Sequence, residues 1–188
     1  MSSSNILEEL EKYKQSYYSE NKKNLIFKKD QKMEVASKIA TEFNVDELLR
    51  RTVFIIPGTN KMYVDYLVFK LYAHPTNFLR FVEYTQSLIP ECIRKYGTFE
   101  CHVNLNTFTV SAAERYKQIV GIFNAVGLRN DTDYTIQLTH LYVYNTPSAV
   151  DHISKIILCL LEPALRDKIV FYNKADSILL NPLPFQKI

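Results

Sequence analysis

The residues of this chain able to do covalent or metal chemistry are few, and their spacing argues against such chemistry. His74, His102, His140 and His152 are dispersed, and none stands at ligand spacing from a cysteine or carboxylate. His102 and His140 fall on one face of the strands they occupy, but a metal site needs several convergent ligands, so no metal is expected. Asp151-His152 on an apolar helix has no nucleophile partner. Cys92, Cys101 and Cys159 are scattered, odd in number and flanked by apolar residues, which reads as reduced, buried thiols in a reducing compartment. The motifs G-x-S-x-G, G-x-x-x-x-G-K-[ST] and H-E-x-x-H are absent. No catalytic residue and no cofactor are expected, and the chain is not read as an enzyme.

Composition narrows the class further. With 188 residues the chain can bury one sizeable core, and 47% hydrophobic and 23% charged residues are globular values. Thirteen Tyr and 11 Phe stand against only 4 Gly, so glycine-rich phosphate loops are excluded. The net charge of +3 is small, and no concentrated basic face or known module points to nucleic acid. Basic pairs at Lys22-Lys23, Lys28-Lys29 with Lys32, Arg50-Arg51 and Arg94-Lys95 are either solvated faces or a weak attraction to anionic membranes. The N-terminus lacks the apolar core of a signal peptide, and the longest apolar run, Ile156 to Leu161, is far too short to span a bilayer. A cytoplasmic location is expected, with peripheral membrane contact.

The elements that must position these residues follow from periodicity. Helices are predicted from Asn5 to Tyr18, from Asp30 to Phe43 and over Asp46–Arg51. Thr52–Ile56 and Met62–Tyr72 read as strands joined by a Pro57–Asn60 turn. Pro75–Tyr96 is the clearest helix, with a kink or break expected at Pro90. Phe99–Leu105, Tyr134–Tyr144 and Ile169–Tyr172 read as strands, the last one buried, with helices at Ser111–Val126 and Pro147–Leu161 between them; an apolar tail ends in Pro182–Phe185. The β-α alternation predicts an α/β fold, a mainly parallel sheet covered by helices, behind a helical N-terminal region.

One stretch carries an identity. From Leu141 to Tyr172 it reads LYVYNTPSAVDHISKIILCLLEPALRDKIVFY and resembles the CRAL-TRIO domains of the yeast phosphatidylinositol-transfer protein and the tocopherol- and retinaldehyde-binding proteins. There a strand ends in Asn-x-Pro, an apolar helix follows, then Asp-Pro and a Lys-Ile pair opening the next strand. The matching residues are Asn145-Thr146-Pro147, Glu162-Pro163 and Lys168-Ile169, with separations of 16 from Pro147 to Pro163 and 5 from Pro163 to Lys168. His102-Val-Asn-Leu105 stands where the family has an apolar strand ending in Asp-Leu. The resemblance covers roughly Met62 to Leu180 and divides the chain into a helical region, 1–51, and a CRAL-TRIO-like lipid-binding domain, 52–188. Asn145 is expected to bond its local backbone, and Pro147 to pre-set the first turn of the helix.

The resemblance implies binding, and transfer between membranes, of a phospholipid or other small hydrophobic ligand. Helix 147–161, carrying Val150, Ile153, Ile157, Leu160 and Leu161, would be the gate over it; as a bare sequence the same helix reads first as plain core, and only the resemblance sets the gate beside that reading. Lys168 matches the family's headgroup lysine, and Arg166 could add a second phosphate contact, though both also suit a surface position near a helix end. The family's partner Glu has no counterpart: the ungapped position is Ile136, and the nearest acid is Asp133. Alternation puts Leu138, His140, Tyr142 and Tyr144 on one sheet face with His102 and Asn104. That mixture suits either a cavity floor meeting acyl chain and headgroup or a core satisfied by internal hydrogen bonds. No glycine follows Gly127, where typical members carry a Gly-Gly pair, so the chain reads as a trimmed version. A protein-interaction or scaffold module on the same fold, with a protein partner, is the alternative.

Overall fold

The computed structural model describes residues 5–21, 28–129 and 134–180; Lys22-Lys23, Asp133 and the tail at 182–185 fall outside them. Three helices come first, α1 (Asn5–Glu20), α2 (Lys28–Glu42) and α3 (Val45–Thr52). The start of α3 is fixed by Asn44, whose side chain accepts the Asp46 and Glu47 N–H groups, as an N-cap should. Strands β1 (Val53–Ile55) and β2 (Lys61–Asp65) form the expected antiparallel hairpin, with Gly58 supplying a positive φ in its turn.

The predicted strand to Tyr72 stops at Asp65. Its carboxylate accepts the Leu67 N–H and caps α4 (Tyr66–Tyr72), six of whose seven residues are buried. A helix buried on nearly all sides has no polar face, so its sequence reads like a buried strand. After a short 3-10 turn, α5 (Phe78–Tyr96) runs unbroken through Pro90 and ends on Gly97 in the left-handed region. The expected break is missing because buried Phe81, Val82, Thr85, Ile89 and Cys92 continue on both sides of the proline.

Strand β3 (Phe99–Asn104) leads to α6 (Val110–Tyr116) and α7 (Gln118–Arg129), two helices where one was expected. Then come β4 (Leu138–Tyr144), α8 (Val150–Leu158), α9 (Pro163–Arg166), β5 (Ile169–Phe171) and α10 (Lys174–Leu180), the last not anticipated. Pro147 sits in the turn leading into α8, whose first residue lies three positions later. Helix 147–161 is shorter than expected at its far end too. Pro163 drives Glu162 to an extended conformation (ψ 147°), so no helix can run through it.

The sheet order is β1-β2-β3-β4-β5, the order of the chain, and β2 to β5 are all parallel. Strands β4 and β5 are neighbours in one sheet, Leu141 facing Ile169, as the β-α-β reading required. Each crossover joins adjacent parallel strands in the same direction, so the right-handed rule puts every crossover helix on the same side. The packing of α5 on α7 and of α6 on α8 agrees. Register aligns Met62, Cys101, Leu141 and Ile169, then Val64, Val103, Val143 and Phe171, on one face. Met62, Phe99, Cys101 and Leu138 join Phe81, Val82 and Ile89 of α5 in the core, together with Leu10, Ile39 and Leu49 of the first three helices. β5 is an edge strand and only half-buried, not buried, with Phe171 40% exposed.

Candidate functional site

The opposite face of the sheet is of different chemistry. Register places Phe54, Tyr63, His102, Tyr142 and Val170 in one row, and Asp65, Asn104 and Tyr144 in the next. Leu138, expected among them, moves to the apolar core. The cause is an irregularity at the start of β4, where Phe99 faces Leu138 but Cys101 faces Leu141. The aromatic rings stack along and across the strands: His102 on Tyr144 at 5.8 Å and 6°, His140 on Tyr142 at 5.2 Å and 14°, and Tyr144 on Tyr172 at 5.4 Å and 24°. This face is closed where Tyr63, His102, Asn104 and Tyr144 are buried, and opens toward half-buried Tyr142 and exposed His140.

His102, 2% exposed, is the centre of it. Its Nε2 lies 3.0 Å from Glu100 Oε2 and its Nδ1 2.9 Å from the Tyr144 hydroxyl. A carboxylate can only accept, so Nε2 carries the proton and Nδ1 accepts from Tyr144. Burial holds the imidazole below its ordinary pKa, against the opposing pull of Glu100. Burial also pushes the Tyr144 hydroxyl up, and the Cys101 thiol to about 12, so neither ionises readily. The result is a hydrogen-bonded aromatic surface in which His102 is held neutral between the Glu100 carboxylate and the Tyr144 hydroxyl.

At the C-terminal ends of the strands a second polar row ties the sheet together. Asn145 Nδ2 donates to Asn104 Oδ1 at 2.9 Å, and Asn104 Nδ2 reaches Asp65 Oδ1 at 3.4 Å. The Asn145 N–H donates to Ser177 Oγ of α10 at 2.7 Å. In place of the expected bond to its local backbone, Asn145 bonds to Asn104 of β3 and to Ser177 of α10. Its φ of 55° is a left-handed value that asparagine tolerates better than most residues. Burial raises the Asp65 pKa, against the Leu67 N–H, which stabilises its charged form.

The headgroup candidates occupy the other end of the strands. Lys168 Nζ donates to the carbonyls of Thr135 and Leu138, and Arg166 Nε donates to the Leu161 carbonyl at 2.9 Å. Between the two residues that hold Lys168 lies Ile136, 81% exposed, at the position where the family has its acid. The gate candidates lie on the crossover between β4 and β5. Ile153 is 5% exposed and Val150 and Ile157 are half-buried; beyond α8, Leu161 is half-buried and Leu160 is 39% exposed. The main neighbour of α8 is α6, and Asn124 of α7 donates to the Leu160 carbonyl at 3.4 Å. The candidate residues therefore gather in three places: His102, Asn104, His140, Tyr142 and Tyr144 on the aromatic face; Lys168 and Arg166 near its N-terminal edge; and the apolar residues of the crossover. Glu100 and Tyr172 were missed, although the period-2 pattern that found His102 and Tyr144 also reaches them. Ser177 left no signal in the sequence.

A singly wound parallel sheet, an Asn-x-Pro strand end and an apolar crossover helix before a Lys-Ile strand define a class of lipid-binding domain. The model of the CRAL/TRIO domain matches residues 49–184, and the chain belongs to that family. Its fold is similar to the crystal structure of Sfh5, with a TM-score of 0.50 and 18% identity over 92% of this chain and 65% of Sfh5. The chain thus spans less than two thirds of the length of Sfh5 and shares its fold. No curated protein matches it. Among the described residues, no group of three or more His, Cys, Asp or Glu could hold a metal, and no helix is long and apolar enough to cross a membrane.

Proposed function

We propose that this protein binds a phospholipid or other small hydrophobic ligand and transfers it between membranes, with segment 147–161 as the gate. The carrying observation is the incomplete burial of the gate's apolar residues. Of Val150, Ile153, Ile156, Ile157, Leu158 and Leu160, only Ile153 is fully buried, although the helix is apolar over much of its circumference. A core helix spends its apolar face on protein; this one leaves much of it for another apolar partner. In this reading residues 52–188 form the lipid-binding unit, braced by 1–51. The aromatic face supplies a wall with polar atoms, and Lys168, with one N–H beyond its two carbonyl bonds, meets a headgroup together with Arg166. Exposed Ile136 beside Lys168 would touch the membrane surface during exchange.

A scaffold role with the interior filled by the protein's own side chains is supported by a different observation. Two clefts among the described residues, of about 210 and 330 Å³, are lined by no residue of α8 or of the aromatic face. Native mass spectrometry of the purified protein decides between the two. A co-purifying mass of lipid size supports ligand binding; bare protein before and after incubation with mixed phospholipid vesicles supports the scaffold.

A further inference from the structure

The 330 Å³ cleft lies between Met33 of α2, the His74–Pro75 turn and the junction of α6 and α7. Arg115 lines it, and among the described residues no carboxylate pairs with this arginine. Its Nε is buried without a hydrogen-bond partner, and its guanidinium carbon lies 5.4 Å from the centre of the buried Tyr116 ring. One acid, Glu114, lines the same cleft, and its charge is offset by Lys117 at 2.8 Å. Lys117 and Gln118 line the same cleft, and His74, bound to Thr76 through Nδ1, faces it from the turn.

Arg115 is half-buried, and a guanidinium held at a cleft without a carboxylate partner is free to take an anion. A guanidinium fork is shaped to take two oxygens of a phosphate, and Lys117 and Gln118 add donors at the rim. We propose that this cleft binds a phosphate group, with Arg115 as its principal ligand. The cation–π contact with Tyr116 holds the guanidinium in place but supplies no negative charge. The site is separate from segment 147–161 and does not depend on its being a gate.

The test titrates inorganic phosphate into the full chain, followed by calorimetry, and in a second arm co-sediments it with phosphatidylcholine vesicles containing phosphatidylinositol 4-phosphate. Wild type is expected to bind phosphate saturably. Arg115→Gln should weaken that binding roughly ten- to a hundredfold, as loss of a charge-assisted hydrogen bond would, and Lys117→Gln by a smaller factor. Vesicle binding lost in Arg115→Gln identifies the source as a lipid headgroup; phosphate binding with no vesicle binding identifies a soluble phosphorylated ligand. Either supports the site. Absence of saturable phosphate binding by wild type, or equal affinity in a folded Arg115→Gln, overturns it and leaves Arg115 as a stacking partner of Tyr116. Should Arg115→Gln fail to fold, the exposed Lys117→Gln decides alone: unchanged phosphate affinity overturns the site.

Discussion

A carboxylate introduced at Ile157 or at Ile153 meets two different surroundings only one turn apart on α8. Ile157 is half-buried, so an aspartate there can reach water, and the loss is about half the burial of an isoleucine. Full burial of such a side chain is worth about 1.5–3 kcal/mol, so Ile157→Asp should cost about 1 kcal/mol. In a domain of this size that lowers Tm by roughly 2–4 °C. Ile153 is 5% exposed, and an unpaired carboxylate in its place should cost about 3–5 kcal/mol. Ile153→Asp should therefore melt roughly 6–20 °C below wild type, or fail to fold. Both variants are melted as delipidated protein, so that bound ligand does not add to the wild-type value. Lipid retention is then read by native mass spectrometry after incubation with vesicles. A gate requires Ile157→Asp to stay folded and lose the lipid. Ile157→Asp melting as low as Ile153→Asp would show the helix to be ordinary core, and full lipid retention by a folded Ile157→Asp would refute the gate.

Three further expectations concern the sheet. Asn145→Ala gives up the left-handed tolerance and the bond to Asn104, and should cost about 2–3 kcal/mol in urea unfolding, with Asn145→Gly less damaging; equal losses would dismiss the backbone contribution. Because burial lowers the His102 pKa, the unfolded chain binds its proton more readily. Stability should therefore fall as pH drops through about 6.5 toward the depressed folded value, and an NMR titration of His102 with a midpoint above 6.5 would contradict this. Lys168→Met strands the Thr135 and Leu138 carbonyls and should cost about 1.5–3 kcal/mol even without lipid; an unchanged melting curve would leave the lysine to the ligand alone.

Much of this fold was written in the spacing of apolar residues. The order of strands and helices from Phe99 to Tyr172 follows from alternation, and the Asn145–Lys168 stretch pointed to the family that the match over residues 49–184 establishes. What could not be read locally depends on tertiary burial. Tyr66–Tyr72 is apolar on nearly every side, so only the Asp65 cap distinguishes it from a strand. Leu138 left the polar face because of one irregularity in β4, which no alternation rule foresees. The candidate site was partly visible: His102, Asn104, Tyr142 and Tyr144 do share a face. The carbonyls that hold Lys168 and the Ser177 contact to Asn145 come from segments far apart in sequence, and the unpartnered Nε of Arg115 shows only once its neighbours are in place.

Because the sheet's spatial order repeats the order of the chain, every strand after the first has its partner already made when it leaves the ribosome. β2 closes on β1 through a short turn, and each later strand adds to an existing edge after one crossover. Among the described strands none waits for a distant one, so ordering entropy is met in small instalments rather than at a single late closure. The same logic leaves β5, half-buried and with Phe171 outward, as the growing end. Chain order and sheet order then run in the same direction, and pausing after β4 would leave β5 as the one described strand still to add.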